Sequence, residues 1–166
     1  VNKVDQTISG FAANPDPGVV DGTSTLSATA SSGLDVTFGS STAAVCTVSG
    51  STVTYLAAGT CTVTADQAGD DSYNAATQVT LGIVVNKADQ TIDGLAADPA
   101  DGAVGGTSTV SATASSGLAV AYSSSTPTTC TVAGDVVTYL AVGTCTVTAD
   151  QAGDANYNAA PQVTID

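Results

Sequence analysis

The sequence predicts an all-β chain built as two tandem antiparallel β-sandwiches. Three observations lead there. The chain matches itself when shifted by 84 residues, its apolar residues recur at every second position, and its four cysteines fall into two equally spaced pairs.

The internal match runs without gaps. Asp5-Gln6-Thr7-Ile8 reappears as Asp89-Gln90-Thr91-Ile92, Ser27–Leu34 as Ser111–Leu118, and Gly59–Asp70 as Gly143–Asp154. More than two thirds of the aligned pairs are identical. Where the copies differ, apolar positions exchange among themselves (Leu26 for Val110, Phe38 for Tyr122, Leu81 for Ile165). The freer changes fall at turn-like places (Asp16 for Ala100, Asp21 for Gly105). Two copies of one fold follow, with repeat 1 expected over residues 1–85 and repeat 2 over 86–166. Val1-Asn2-Lys3 recurs as Val85-Asn86-Lys87, so the chain reads as a piece of a longer array.

Each copy reads as a series of short strands. Thr23–Ala30 alternates polar and apolar, with Leu26, Ala28 and Ala30 on one face. Ser31-Ser32-Gly33 supplies a turn, after which Leu34, Val36 and Phe38 resume the alternation. Cys46 pairs in phase with Val48, Val53 with Tyr55, and Cys61 with Val63 and Ala65. Val79, Leu81 and Ile83 form the inward set of a closing strand over Gln78–Val84. No stretch sustains a helical stripe. About seven strands in a copy of this size is the count of a two-sheet sandwich.

Fourteen residues separate Cys46 from Cys61, and Cys130 from Cys145. Both members of each pair fall on inward faces, and the strand, turn, strand and turn between them let them meet across the core. The expected bonds are Cys46–Cys61 and Cys130–Cys145. Closing a loop of this size is worth roughly 3 kcal/mol in the chain-entropy model. That is large for a small domain whose interior is mostly Val and Ala. Zinc binding would want closer cysteine spacing or histidines, and redox chemistry a C-x-x-C motif, none of which occurs. Disulfides imply an oxidising compartment, outside the cell or on its surface.

Composition narrows the function. The 166 residues carry a net charge of −13, with two lysines, 15 aspartates and no His, Arg or Glu. A surface this acidic repels phosphate backbones and anionic bilayers, so neither nucleic acid nor direct membrane insertion is expected. Acid–base chemistry is left with Asp, Tyr and two lysines, and no nucleophile elbow, P-loop or metalloprotease motif is present. The chain does not read as an enzyme.

Val36-Thr37-Phe38-Gly39-Ser40-Ser41, Val45-Cys46-Thr47-Val48, Gly50, Val53-Thr54 and Ala58–Ala65 come in the order found in bacterial Ig-like domains. The set is repeated over Val120–Ala149. The chain resembles the tandem Big-type repeats of surface adhesins along essentially its whole length, in a disulfide-bearing subtype. The resemblance implies immunoglobulin-like sandwiches with Greek-key connections. It also implies a structural role: spacer or extender repeats of a bacterial surface or large secreted protein, forming a stiff rod that projects a distal binding domain. Its partners would be adjacent repeats of the same polypeptide, in a monomer. The short linker Val85–Ala88, free of Gly, Ser and Pro, agrees with restricted rotation. The alternative is an Ig-like module that itself contacts a carbohydrate or a host protein. That reading needs an exposed aromatic or apolar patch, for which Phe11, replaced by Leu95 in the second copy, is the candidate.

Two further chemistries bear on the acidic and amide residues. Calcium takes six to eight oxygen ligands, and loops meeting at a junction between repeats would gather Asp16 and Asp21 with Asp89, Asp150 and Asp154. A Lys–Asn isopeptide would join Lys3 to Asn74 and Lys87 to Asn158. The expected state of both lysines is instead exposed, at a strand start.

Overall fold

The computed structural model describes residues 2–166. The chain forms two compact units, one up to Ala88 and the other from Asp89 to Asp166. The division lies three residues beyond the expected one because the closing strand of the first unit does not stop at Val84. It runs on to Asn86, and Val85 and Ala88 both pack into that unit's core.

The first unit has eight strands: β1 (Ile8–Asn14), β2 (Gly18–Val19), β3 (Thr23–Ala30), β4 (Thr37–Ser40), β5 (Cys46–Ser49), β6 (Thr52–Tyr55), β7 (Gly59–Asp66) and β8 (Val79–Asn86). One sheet has the order β1-β3-β6-β5 and the other β2-β8-β7-β4. The pairs β1–β3, β3–β6 and β4–β7 join strands that are not consecutive, so the chain crosses repeatedly between sheets as a Greek key does. All pairs are antiparallel except the two-residue β2, which lies parallel to the end of β8. This is an immunoglobulin-like sandwich.

Alternation sets which face is inside. In β3, Ser24, Leu26 and Ala30 are buried while Thr23, Thr25, Ser27 and Thr29 face solvent. In β7, Cys61, Val63 and Ala65 are fully buried, and β6 contributes Val53 and Tyr55. Leu26, Val53, Tyr55, Cys61 and Val63, with Val20, Cys46, Ile83 and Val85, form a single core drawn from both sheets. Apart from Tyr55 its side chains are small or aliphatic, so little area is buried per residue.

Phe11 departs from the expected exposed position. It packs against the core and stacks on Phe38, ring centroids 5.7 Å apart. The cause is a register shift between Ser9 and Ala12, where Gly10 adopts a φ of 66°. Strict alternation from buried Ile8 would turn Phe11 outward, and the extra residue of the bulge reverses its phase. The candidate aromatic is thereby half-buried against the core and Phe38.

The second unit repeats the plan with β9 (Ile92–Asp98), β10 (Thr107–Ala114), β11 (Ala121–Ser124), β12 (Cys130–Ala133), β13 (Val136–Tyr139), β14 (Val147–Asp150) and β15 (Val163–Ile165). Its sheets have the orders β12-β13-β10-β9 and β11-β14-β15. The bulge recurs between Ser111 and Thr113 on β10, opposite β9. The second sheet is smaller: β14 has four residues where β7 has eight, and no counterpart of β2 forms among the described residues. The exchange of Asp21 for Gly105 between copies has a backbone reason. Both occupy the left-handed region, with φ of 64° and 82°, which glycine enters without cost.

Candidate functional site

The chemistry-bearing residues of each unit serve to hold its sheets together. Cys46 opens β5 in one sheet and Cys61 lies in β7 of the other. They are joined by a disulfide with Cα atoms 5.6 Å apart, and both are fully buried. Cys130 of β12 and Cys145, just before β14, form the same bond at the same Cα separation. No free cysteine is found among the described residues. Each bond spans the interior from sheet to sheet, where aliphatic contacts alone are sparse.

A second pin is polar. Gln6 precedes β1 and is buried, donating through Nε2 to Gln67 Oε1 (2.8 Å) and to the Asn74 carbonyl (2.7 Å). Ser32 donates to Gln6 Oε1 at 2.5 Å, and Gln67 Nε2 donates to the Asp35 carbonyl at 3.2 Å. The chain's entry, the β3–β4 turn and the β7–β8 loop are thus tied at one point. Gln90, Gln151, Asn158 and Ser116 build the same knot in the second unit. The sequence signal was present in Gln6 and Gln67, both unchanged in the second copy, but polar residues beside strands read as solvent-facing. A third pin joins Tyr55, Ser24 and the Pro15 carbonyl, and recurs through Tyr139, Ser108 and Pro99. Among the described residues, every buried side-chain nitrogen or oxygen has a partner.

The aspartates considered for calcium have places within their own units. Asp89 Oδ1 accepts from Asn158 Nδ2 at 2.8 Å. The Asp150 carboxylate accepts from Gln162 Nε2 at 2.8 and 3.0 Å. Asp154 Oδ1 caps the N–H groups of Asn156 and Tyr157 at 2.7 and 2.9 Å. Asp16 lies in the loop between β1 and β2, and Asp21 in the left-handed turn before β3. Within neither unit do three or more metal-ligating side chains converge among the described residues. Asn74 Nδ2 donates to Asp5 Oδ1 at 2.8 Å, as Asn158 does to Asp89, and Lys3 and Lys87 are exposed. The asparagine amides therefore act as hydrogen-bond donors to aspartate.

No family model matches the chain, and no curated protein sequence does. Among solved structures it is similar to domains 4 and 5 of the S-layer protein SbsC, at 19% identity and a TM-score of 0.35, covering 96% of each chain. It is similar to a C-terminal 282-residue fragment of intimin, solved in complex with the intimin-binding domain of the translocated intimin receptor. There the identity is 19% and the TM-score 0.37, over 96% of this chain and 63% of that one. A longer SbsC fragment, domains 4–9, gives 18% identity and a TM-score of 0.37, over 96% of this chain and 30% of that one. Likeness at this level carries no weight for function, and the fold assignment stands on the strand order and pairing given above.

Proposed function

We propose that the chain is a pair of structural spacer repeats from a bacterial cell-surface adhesin or large secreted protein, forming a stiff rod that projects a distal binding domain. The observation that carries this reading is the disulfide placed at the same point of both units, between β5 and β7 in the first and between β12 and the residues leading into β14 in the second. Such a bond serves a domain that works in an oxidising medium and must survive load with a meagre core. The investment in this chain goes into pins rather than into a site: the buried tyrosine, glutamine and cysteine side chains all join one strand or loop to another. Adjacent repeats of the same polypeptide are the natural partners, and the acidic surface keeps the rod soluble and monomeric. The packing of Phe11 against the core and Phe38 favours this reading over a carbohydrate- or protein-binding module.

The test is small-angle scattering of the whole chain. A spacer predicts an extended monomer, each repeat adding roughly 40 Å to its length at the rise of a β-strand plus loops. A compact or freely hinged pair would overturn the reading.

A further inference from the structure

A pair of hydroxyls sits over one sulfur of each disulfide. Ser40 Oγ lies 3.4 Å from Cys46 Sγ, and Thr42 Oγ1 lies 3.6 Å from it. A disulfide sulfur carries no proton, so the hydroxyls are the donors in both contacts. Their oxygens are themselves engaged by backbone donors. Thr42 N–H donates to Ser40 Oγ at 3.1 Å, and Thr62 N–H to Thr42 Oγ1 at 2.8 Å. The N–H groups of Val45 and Cys46 both donate to the Thr42 carbonyl, which folds this turn back on Cys46. Among the described residues both hydroxyl contacts go to Cys46, while Cys61 is enclosed in the core that includes Val53, Val63 and Ile83. The second unit repeats the arrangement, with Ser124 Oγ and Thr126 Oγ1 at 3.4 and 3.6 Å from Cys130 Sγ. Between hydroxyls and cysteine the copies differ at three positions, Ala43-Ala44-Val45 against Pro127-Thr128-Thr129, yet the Ser-Ser-Thr and the Cys are unchanged.

We infer that the disulfide of the first unit has a direction: an external thiolate attacks Cys61, and Cys46 is the leaving sulfur, stabilised by Ser40 and Thr42. A bond forms between the incoming sulfur and Cys61 Sγ as the bond between Cys61 and Cys46 breaks. The bonding pair leaves on Cys46 Sγ as a thiolate, which the two hydroxyls hold until it takes a proton from water. Hydrogen bonds to a charged acceptor are stronger than neutral ones, so donors already aimed at this sulfur gain strength as charge develops on it. Exchange runs faster the better the departing thiolate is stabilised, so cleavage is steered towards release of Cys46. In reverse the same step closes the bond: the Cys46 thiolate attacks a mixed disulfide on Cys61 and expels the carrier's thiolate. Both sulfurs are fully buried in the folded unit, so exchange follows a parting of the strands that cover them. The inference concerns the bond alone and does not depend on the spacer reading.

Glutathione is the probe, applied to the whole oxidised chain in native buffer with a rapid alkylating quench. Peptide mapping then reads which cysteine of the first unit carries glutathione and which the alkyl group. Glutathione on Cys61 with alkyl on Cys46 is expected to exceed the reverse by about tenfold, the scale of one hydrogen bond to a charged group. In urea, where the turn no longer holds its hydroxyls over Cys46, the two products should approach equal yield. Ser40→Ala combined with Thr42→Val should bring the native ratio towards one, whereas Thr42→Ser, which keeps a hydroxyl, should retain it. A merely structural role for these residues would change how fast the bond opens and leave the ratio untouched. A ratio near one in the parent chain, or an excess of glutathione on Cys46, would overturn the inference whether or not the double variant folds. So would a folded double variant with the parent's ratio.

Discussion

The phenol hydroxyl of Tyr55 donates to Ser24 Oγ at 2.6 Å, and Ser24 in turn donates to the Pro15 carbonyl at 2.6 Å. Three segments, β6, β3 and the loop after β1, are held by one relay through a side chain that water does not reach. Its partner at the backbone level is Gly18, where a Cβ would collide with the Tyr55 ring, so the loop can lie flat on the aromatic face. The relay recurs in the second unit, but there the tyrosine is half-exposed.

This contrast makes a prediction. Ser24→Ala leaves a buried phenol without an acceptor and should cost about 1–3 kcal/mol, whereas Tyr55→Phe, which removes the donor and keeps Ser24 bonded to Pro15, should cost about 1 kcal/mol. Tyr139→Phe in the second unit should cost less than Tyr55→Phe because water can replace the lost hydroxyl. Urea unfolding of the three variants checks the order.

Gln6 is expected to behave as a structural residue despite its polarity. Gln6→Leu strips donors from the Asn74 carbonyl and Gln67, and the acceptor from Ser32, leaving several part-buried groups unpaired. A loss of about 2–3 kcal/mol is expected, with Gln90→Leu giving a matching loss in the second unit. Gln6→Glu should also destabilise, because a carboxylate cannot donate to Gln67 or Asn74. Thermal melting of the single variants measures each unit's share.

The aspartates allow two opposed outcomes. As acceptors within their units, Asp89, Asp150 and Asp154 hold loops without metal, and the melting temperature is expected to be the same in calcium and in chelator. As ligands shared between repeats with Asp16 and Asp21, they would raise it in calcium, and Asp21→Gly would abolish the rise. On the first reading Asp21→Gly, which relieves a left-handed backbone, leaves the melting temperature as insensitive to calcium as in the parent chain. Calorimetry with both chains separates the two.

Much of this architecture was legible in the residues. Leu26, Val53, Tyr55, Cys61 and Val63 showed their inward phase because a strand's faces alternate strictly, and the cysteine spacing set a closable loop between inward positions. What escaped was non-periodic or non-local. Phe11 was misplaced because a single bulge at Gly10 inverts the face of everything after it on β1. Gln6 escaped because its burial depends on partners 61 and 68 residues away. The two residues of β2 carry no pattern of their own, being held by parallel pairing to the end of β8. The same pairing drew the last strand past Val84 and moved the boundary between units.

A bond across the sheets makes a thin core durable, and pulling the whole chain from its two ends measures this directly. With both disulfides intact, the residues between Cys46 and Cys61 and between Cys130 and Cys145 stay locked. Each unit should then release about 50 Å less contour length than after reduction, the reach of the fifteen-residue spans they enclose. Reduction should also lower the unfolding force of both units. Equal lengths and forces before and after reduction would contradict the account.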